Sequence, residues 1–374
     1  MMLVLVLGHR RGLTKALEKL QCPFVIWHSS SIKSKTKAVH LIEAPYPKTK
    51  EQVQERIKDL PPITHVISAI EETVFPASRV RYWLGAKRNP HAAIVNCSDK
   101  LKMKQFLVDK EIPMTDFVDP KAGLSPQELF ERMGKPIIAK KRFSSGGRAL
   151  ERISEVSQLI KRMKRGQILE KSITGSEGSV ESIIFDKEIL FENITEYVSH
   201  GEINLLPANF SDELREGILN LNRKVIKALN IKWGMTHLEF YNTDQGILFG
   251  EIALRPPGGY IMDCIEMAYQ FNPWEALLKT EIGEKPTLDN QHTNFAVSIL
   301  FPRRPGIVKS ITGADESSQL DSVQKVSITV KVGDELKAKD GISDVMGYAL
   351  LQNENLDDLL KDLNQLKEHI KFDI

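Results

Sequence analysis

The sequence predicts an α/β fold, with a parallel sheet at the amino-terminal end and mixed helices and strands after it. Two observations carry this. Over roughly the first ninety residues, β-favouring apolar runs alternate with helix-periodic segments, as in strands joined by crossover helices. Farther on, residues 235–241 and 247–253 each alternate in character around a turn-rich stretch, as in a β-hairpin. A chain of 374 residues has room for about two or three structural units and a sizeable core.

In order, Leu3 to Leu7 is a continuous apolar run ending at Gly8 and reads as the first strand. Thr14 to Leu20 reads as a helix, Phe24 to Trp27 as a second strand and Val53 to Leu60 as a helix. His65 to Ala69 is another buried strand, and Val74 to Leu84 is again helical. Gly8 and Gly12 do not complete G-x-G-x-x-G, which argues against a dinucleotide site in this unit. Ser98 is placed to cap a helix over Asp99 to Lys110, which Pro113 closes. Residues 136–140 (PIIAK) form a short strand, followed by the loop Ser144-Ser145-Gly146-Gly147. Strands at Ile168 to Lys171 and Val180 to Phe185 precede a long periodic helix, Ser211 to Leu229. After the hairpin come strands at Phe295 to Phe301 and Val326 to Val332, and a helix near Leu356 to Ile370. No repeat or low-complexity linker separates the units, so they are expected to pack together.

Lys+Arg 51 against Asp+Glu 49 leaves a formal charge of +2, which excludes a bulk nucleic-acid binder while leaving room for a local phosphate pocket. Cys22, Cys97 and Cys264 lie far apart, without zinc spacing, and suit a reducing cytosol. The apolar opening Met1 to Leu7 is too short to span a bilayer and lacks a basic leader region, since His9, Arg10 and Arg11 follow it. The expectation is a cytoplasmic protein with neither nucleic-acid nor membrane partners. A homodimer is compatible with the sequence, which shows no interface.

The hairpin is the most informative segment. Met235, His237, Glu239 and Tyr241 share one strand face; Ile247, Phe249, Glu251 and Ala253 share one face of the partner. A register centred near Gln245 sets Glu239 opposite Glu251. Facing carboxylates repel, so one is protonated, both are solvated, or a cation lies between them. Hard oxygen donors suit Mg²⁺ or Mn²⁺. Arg255 follows Glu251 at an even spacing, and Pro256-Pro257-Gly258-Gly259 makes a turn with exposed N–H groups suited to an anion. Two acids, an arginine and a glycine turn point to metal-assisted phosphoryl chemistry. His237 either orients Glu239 or is a packed strand histidine.

Lys140 ends a strand just before the Ser/Gly loop, a combination that can hold phosphates, although no Walker A pattern is present and such a loop is more often plain connection. Glu170-Lys171-Ser172-Ile173 and Gly175-Ser176-Glu177 form a connector that can offer backbone groups and acids to an adenine and a ribose, or simply a surface turn. Glu71, Glu72, His200, Glu202, Arg303 and Arg304 are candidates for a substrate pocket, whereas Trp233 and Trp274 read as core.

In this order the pieces resemble the ATP-grasp superfamily over nearly the whole chain, and more closely its carboxylate–amine ligase and L-amino-acid ligase branch. GMTHLEF is similar to that branch's G-x-x-H-x-E strand, and PRRPGIVKSITG, Pro302 to Gly313, to its carboxy-terminal substrate-side subdomain. The resemblance implies an ATP-grasp fold in three parts: a pre-ATP-grasp α/β domain over 1–97, an α+β nucleotide domain over 98–285 with a lid at about 112–185, and an α+β subdomain over 286–374. It implies ATP held by Lys100, Lys140, the loop Ser145, Gly146 and Gly147, the adenine contacts Glu170, Lys171 and Ile173, and the ribose contact Glu177. It implies Mg²⁺ or Mn²⁺ on Glu239 and Glu251, Arg255 as the catalytic arginine, and His237, Gly258 and Gly259 on the substrate side. The implied reaction joins a small carboxylate to an amine through an acyl phosphate. One departure stands out: Glu251-Ile252-Ala253 has alanine where many members carry Glu-x-Asn, removing a third metal contact. That feature favours the alternative, an ATP-binding regulatory protein without ligase chemistry; the retained acids and arginine favour the enzyme. No biotin-attachment motif appears, which argues against a carboxylase.

Overall fold

A computed structural model describes the chain apart from residues 1, 33, 34, 69, 145, 147–149, 164, 165, 340 and 343. The amino-terminal strands form a parallel four-stranded sheet in the order His40–Glu43, Phe24–His28, Val4–Leu7, His65–Ser68. Val4–Leu7 is buried along its length, which explains its unbroken apolar run, as expected for a parallel strand covered on both faces. The edge strand His40–Glu43 escaped the sequence reading because only Ile42 in it is buried. The following helix begins at Glu71 rather than Val74, so Glu71 and Glu72 form its first turn.

The helix after residue 98 starts at Lys100, and its cap is Asp99 rather than Ser98. Asp99 Oδ1 accepts from the N–H groups of Leu101 and Lys102, while the Ser98 hydroxyl donates back to the Ile94 carbonyl. Arg142 locks the cap by pairing with both Asp99 oxygens. A carboxylate at this position satisfies orphan N–H groups and the helix dipole together. It also fixes where Lys100 leaves the helix.

A small antiparallel sheet follows, ordered Phe117–Val118, Gln167–Lys171, Ile137–Lys141, Glu151–Ile153. It packs on the helices Pro126–Met133 and Val156–Arg162 through Val118, Leu129, Ile137, Leu159 and Leu169. The strand Ser176–Phe185, which the lid expected at 112–185 would include, instead belongs to the large sheet.

That large sheet has eight strands. Its order is Gly246–Ala253, Gly234–Thr243, Ser176–Phe185, Glu188–Ser199, Ile203–Leu206, Phe295–Pro302, Val345–Asn353, Val323–Ile328. It runs without a break across the boundary expected at 285, because Ile203 pairs with Ile299 and Leu206 with Ala296. Its last strand ends at Ile328, short of the expected Val332, which is exposed.

The hairpin departs from simple alternation. Near the turn Thr243 pairs with Gly246 and Phe240 with Phe249, but beyond a bulge Glu239 pairs with Glu251. Gly250 is the extra residue. A Cβ there would lie 2.9 Å from the Glu239 carbonyl oxygen and 3.1 Å from the Tyr241 ring, so glycine is required by close approach. The bulge sends Phe249 into the apolar cluster with Leu238 and Phe240, correcting the expectation that Phe249 shares the face of Glu251. Burying each phenylalanine is worth about 1.5–3 kcal/mol, which pins the register that brings the acids together. Among the described residues no helix is long and apolar enough to cross a membrane.

Candidate active site

The helix Lys100–Val108 presents two lysines one turn apart. Lys100 Nζ lies 3.1 Å from Glu251 Oε2 and donates to the Ser144 carbonyl at 2.7 Å. Lys104 is buried, and its ammonium is 3.1 Å from Glu170 Oε1. Lys140, two residues along from Ile138, the register partner of Glu170, reaches Glu170 Oε2 at 2.7 Å. Burial alone would push the Glu170 carboxyl up; Lys104 and then Lys140 override it and hold the group at about 2. The trio carries one net positive charge. Each Glu170 oxygen thus faces an ammonium group, at the residue expected to meet an adenine amino group. Lys104 was missed in the sequence; its spacing four residues from Lys100 is the signal that puts both on one helix face.

Losing one member of such a buried pair costs about 3–5 kcal/mol, so Glu170→Gln should lower stability by that order at neutral pH. The native carboxyl sits far below its unfolded value near 4.5. Its contribution is therefore complete above about pH 4.5 and is lost as pH falls towards 2. Urea unfolding from pH 7 to pH 3 should show the gap between wild type and variant closing on the acid side. A gap that stays constant would contradict the assignment.

The adenine-side loop is partly committed. The Lys171 N–H donates to the Asp116 carbonyl at 2.9 Å, and the Lys171 carbonyl accepts from Thr115 Oγ1 at 3.0 Å. The Lys171 backbone, expected to supply a hinge contact, is already bonded within the protein through both its N–H and its carbonyl. Ile173 lies in the connector just after the strand. Glu177, the expected ribose acid, is 2.6 Å from His200 Nδ1. In the phosphate loop Gly146 lines the central cavity; Ser145 and Gly147 lie outside the described residues.

The facing acids follow a fourth course beyond the three expected. Each has its own cation: Glu251 has Lys100, and Glu239 Oε1 is 3.6 Å from His237 Nε2. Burial alone would raise Glu239 and lower His237. His237 reverses the first, leaving Glu239 at about 2, and Glu181 and then Glu239 reverse the second, leaving His237 at about 9. His237 Nδ1 is anchored 2.9 Å from Glu181 Oε1. Glu181, fully buried, also accepts from Ser179 at 2.7 Å, Asn193 at 2.9 Å and Thr195 at 2.7 Å. His237 is thus a held imidazolium that orients Glu239. Glu181 was missed, and its signal is its register partner, His237 itself.

Arg255 Nε lies 2.5 Å from Glu71 Oε2, and its Nη1 donates to the Pro256 carbonyl at 2.8 Å. With Glu239, His237, Gly258 and Gly259 it lines a cavity of about 310 Å³. Arg10 lines the same cavity, and burial and then Arg255 push its guanidinium down to about 10. Two arginines sharing one cavity make a site for an anion. Glu72 also lines it and has no ion-pair partner among the described residues. Glu251, Lys100, Lys140 and Glu170 do not line this cavity, so the acids straddle a boundary between it and the lysine side. Arg303 and Arg304 lie outside it as well.

No group of three His, Cys, Asp or Glu side chains is arranged to hold a metal among the described residues. Two hard carboxylates, with alanine at residue 253, do fit a magnesium ion that takes its remaining oxygens from nucleotide phosphates and water.

Residues 298–374 match the family described as L-amino acid ligase C-terminal domain 2. The L-arginine-specific L-amino acid ligase of Bacillus subtilis is 27% identical over 316 residues, covering 79% of this chain and 76% of that protein. The crystal structure of an L-amino acid ligase from Bacillus licheniformis superposes with a TM-score of 0.84 at 15% identity, covering 100% of this chain and 98% of that one. The chain shares the fold of that L-amino acid ligase and is similar in sequence to the L-amino acid ligases. The structure of carboxyaminoimidazole ribonucleotide synthase from Aspergillus clavatus solved with ATP has the same fold, with a TM-score of 0.78 at 18% identity, covering 98% of this chain and 97% of that one.

Proposed function

We propose that this ligase uses ATP to activate a small carboxylate as an acyl phosphate and joins it to an amine, giving an amide, ADP and phosphate. The observation that carries the reading is the pair Glu239 and Glu251, set face to face by the Gly250 bulge, with Lys100 on one side and the Arg255 cavity on the other. The γ-phosphoryl group passes to a carboxylate oxygen as its bond to ADP breaks. The amine nitrogen then forms the C–N bond, phosphate leaves with the carbonyl–oxygen bond electrons, and the amine gives up its proton.

Lys100 and Lys140 hold the phosphates, releasing Glu251 and Glu170 from their ion pairs as the nucleotide charge arrives. Glu170 accepts from the adenine amino group. Glu177 turns from His200 to a ribose hydroxyl. Glu239 and Glu251 would hold Mg²⁺ or Mn²⁺, which when bound neutralises charge on the phosphate oxygens. Arg255, steadied by Glu71, faces the transferred phosphoryl group and then the tetrahedral oxyanion. Gly146, at the wall of the cavity, helps keep water from the acyl phosphate. The relative from B. subtilis is named for L-arginine; the unpaired Glu72 offers a carboxylate to an ammonium or guanidinium of such a substrate.

The test is ADP and phosphate release with Mg²⁺, ATP and pooled amino acids and amines, read with product mass spectrometry. The expected result is substrate-dependent ADP release and a product whose mass is acid plus amine minus water. ATP binding without turnover across the pools would instead favour a regulatory protein.

A further inference from the structure

A second cavity of about 880 Å³ adjoins the first and is nearly three times its size. The two share Arg10, Gly258, Gly259 and Ile342. The shared glycines keep the junction open: a Cβ at Gly259 would strike the Asn204 amide at 2.8 Å, and at Gly258 it would stand in open space. None of the reaction roles above uses the outer cavity beyond these shared residues.

Its lining is charged. Arg11, Lys15 and Lys19 come from successive turns of the first helix, Arg11–Lys19, and Lys325 from the strand Val323–Ile328. Lys19 is neutralised by Glu275 at 2.6 Å. Arg11, Lys15 and Lys325 have no carboxylate within ion-pair distance among the described residues. Asp263 and Glu266 on the helix Ile261–Tyr269 also line it, the latter accepting from Asn272 at 3.0 Å. Counting Arg10, five cations face three acids. Tyr260 and Tyr348, stacked at 3.8 Å, and Trp274 give the cavity an aromatic wall.

We infer that the outer cavity binds the far end of the amine substrate, and that this end carries an anionic group, a carboxylate or a phosphate, received by Arg11, Lys15 and Lys325. The inference rests on the ligase reading, because the reacting amine must reach the Arg255 cavity through the junction. A cavity of some hundreds of Å³ with a few convergent polar groups has the dimensions of a small-molecule site. The inner cavity accommodates the reacting ends, and the outer one the remainder of an elongated acceptor such as an acidic peptide. The two acids on the opposite helix leave room for a further amino or amide group on that acceptor.

The test compares paired probes on the full chain by calorimetry: L-alanyl-L-glutamate against its isostere L-alanyl-L-glutamine amide, and 2-aminoethyl phosphate against ethanolamine, which lacks the phosphoryl group. At least one anion should bind at least tenfold more tightly than its neutral partner, and the pair that does so identifies carboxylate or phosphate. In the double variant Arg11→Ala, Lys15→Ala, and separately in Lys325→Ala, that preference should fall to within about twofold while neutral probes bind as before. Equal binding of every pair, or a preference kept by both variants, would overturn the inference. ADP release with pooled free amino acids separates this from the ligase reading. If the pools support turnover while the preference is absent, only the outer site falls. If the preference is present and no amine or acid supports turnover, the ligase reading falls and the anion site stands.

Discussion

Glu251→Gln should reduce ADP release by a factor on the order of 10²–10³ while leaving most of the ATP affinity in place. The substitution keeps the shape of the side chain and removes its charge. Glu251 lies across the hairpin from Glu239 and 3.1 Å from Lys100. In the free protein its loss strands Lys100, which is only 9% exposed at its side chain. On the reaction proposed above, the phosphates of a bound nucleotide take over that role, so affinity is buffered, while adenine and ribose are left to Glu170 and Glu177 on other strands. What the substitution would remove is the second hard oxygen donor where charge builds during phosphoryl transfer, and electrostatic groups so placed are worth about 10²–10³ each in kcat. The measurement is steady-state ADP release beside calorimetric ATP binding in Mg²⁺ or Mn²⁺. Full turnover in the variant would remove the acid from the mechanism.

Arg255→Lys should lower kcat by about 10³, in the range found for arginines that stabilise transferring phosphoryl groups, with a much smaller change in KM for ATP. Lysine keeps the charge and loses the planar fork. In the native site the fork is used twice over: Nε pairs with Glu71 at 2.5 Å and Nη1 donates to the Pro256 carbonyl at 2.8 Å. One face of the guanidinium is therefore fixed by the protein and the remaining donors point to the cavity. An ammonium cannot meet both anchors and the substrate. A fall in kcat and kcat/KM together marks an interaction made in the transition state, whereas a rise in KM alone would assign Arg255 to ground-state binding.

Much of this arrangement is legible in the sequence because it lies on regular elements. Period two gives the pairing of Glu239 with Glu251, and the order of Lys100, Lys140, Glu170, Glu239, Glu251 and Arg255 gives the resemblance to the ATP-grasp fold seen in the solved structures. What escapes is set by exceptions to regularity. The Gly250 bulge breaks alternation, so Phe249 is assigned to the wrong face by pattern alone, even though the acids still meet. Asp99 displaces Ser98 as the cap because Arg142, far away in sequence, supports the carboxylate. Lys104 and Glu181 are buried charges whose partners come from other strands; a one-dimensional reading shows the charge and not the pairing that keeps it there. The His40–Glu43 edge strand has too little buried surface to leave a pattern.

The unbroken eight-stranded sheet carries one more consequence, for motion. Glu239, Glu251 and Arg255 lie on or beside strands laddered to those of the carboxy-terminal segment through Ile203–Ile299 and Leu206–Ala296. Bending there would break main-chain hydrogen bonds in series, so the acids and the floor of the substrate cavities travel as one rigid anvil. The small sheet bearing Lys140 and Glu170 is attached by separate joints, including Lys100 N–H to the Arg142 carbonyl at 3.1 Å. In any closing stroke the hammer is therefore the small sheet, which carries Lys140 and Glu170 towards Glu239 and Glu251 on the large one.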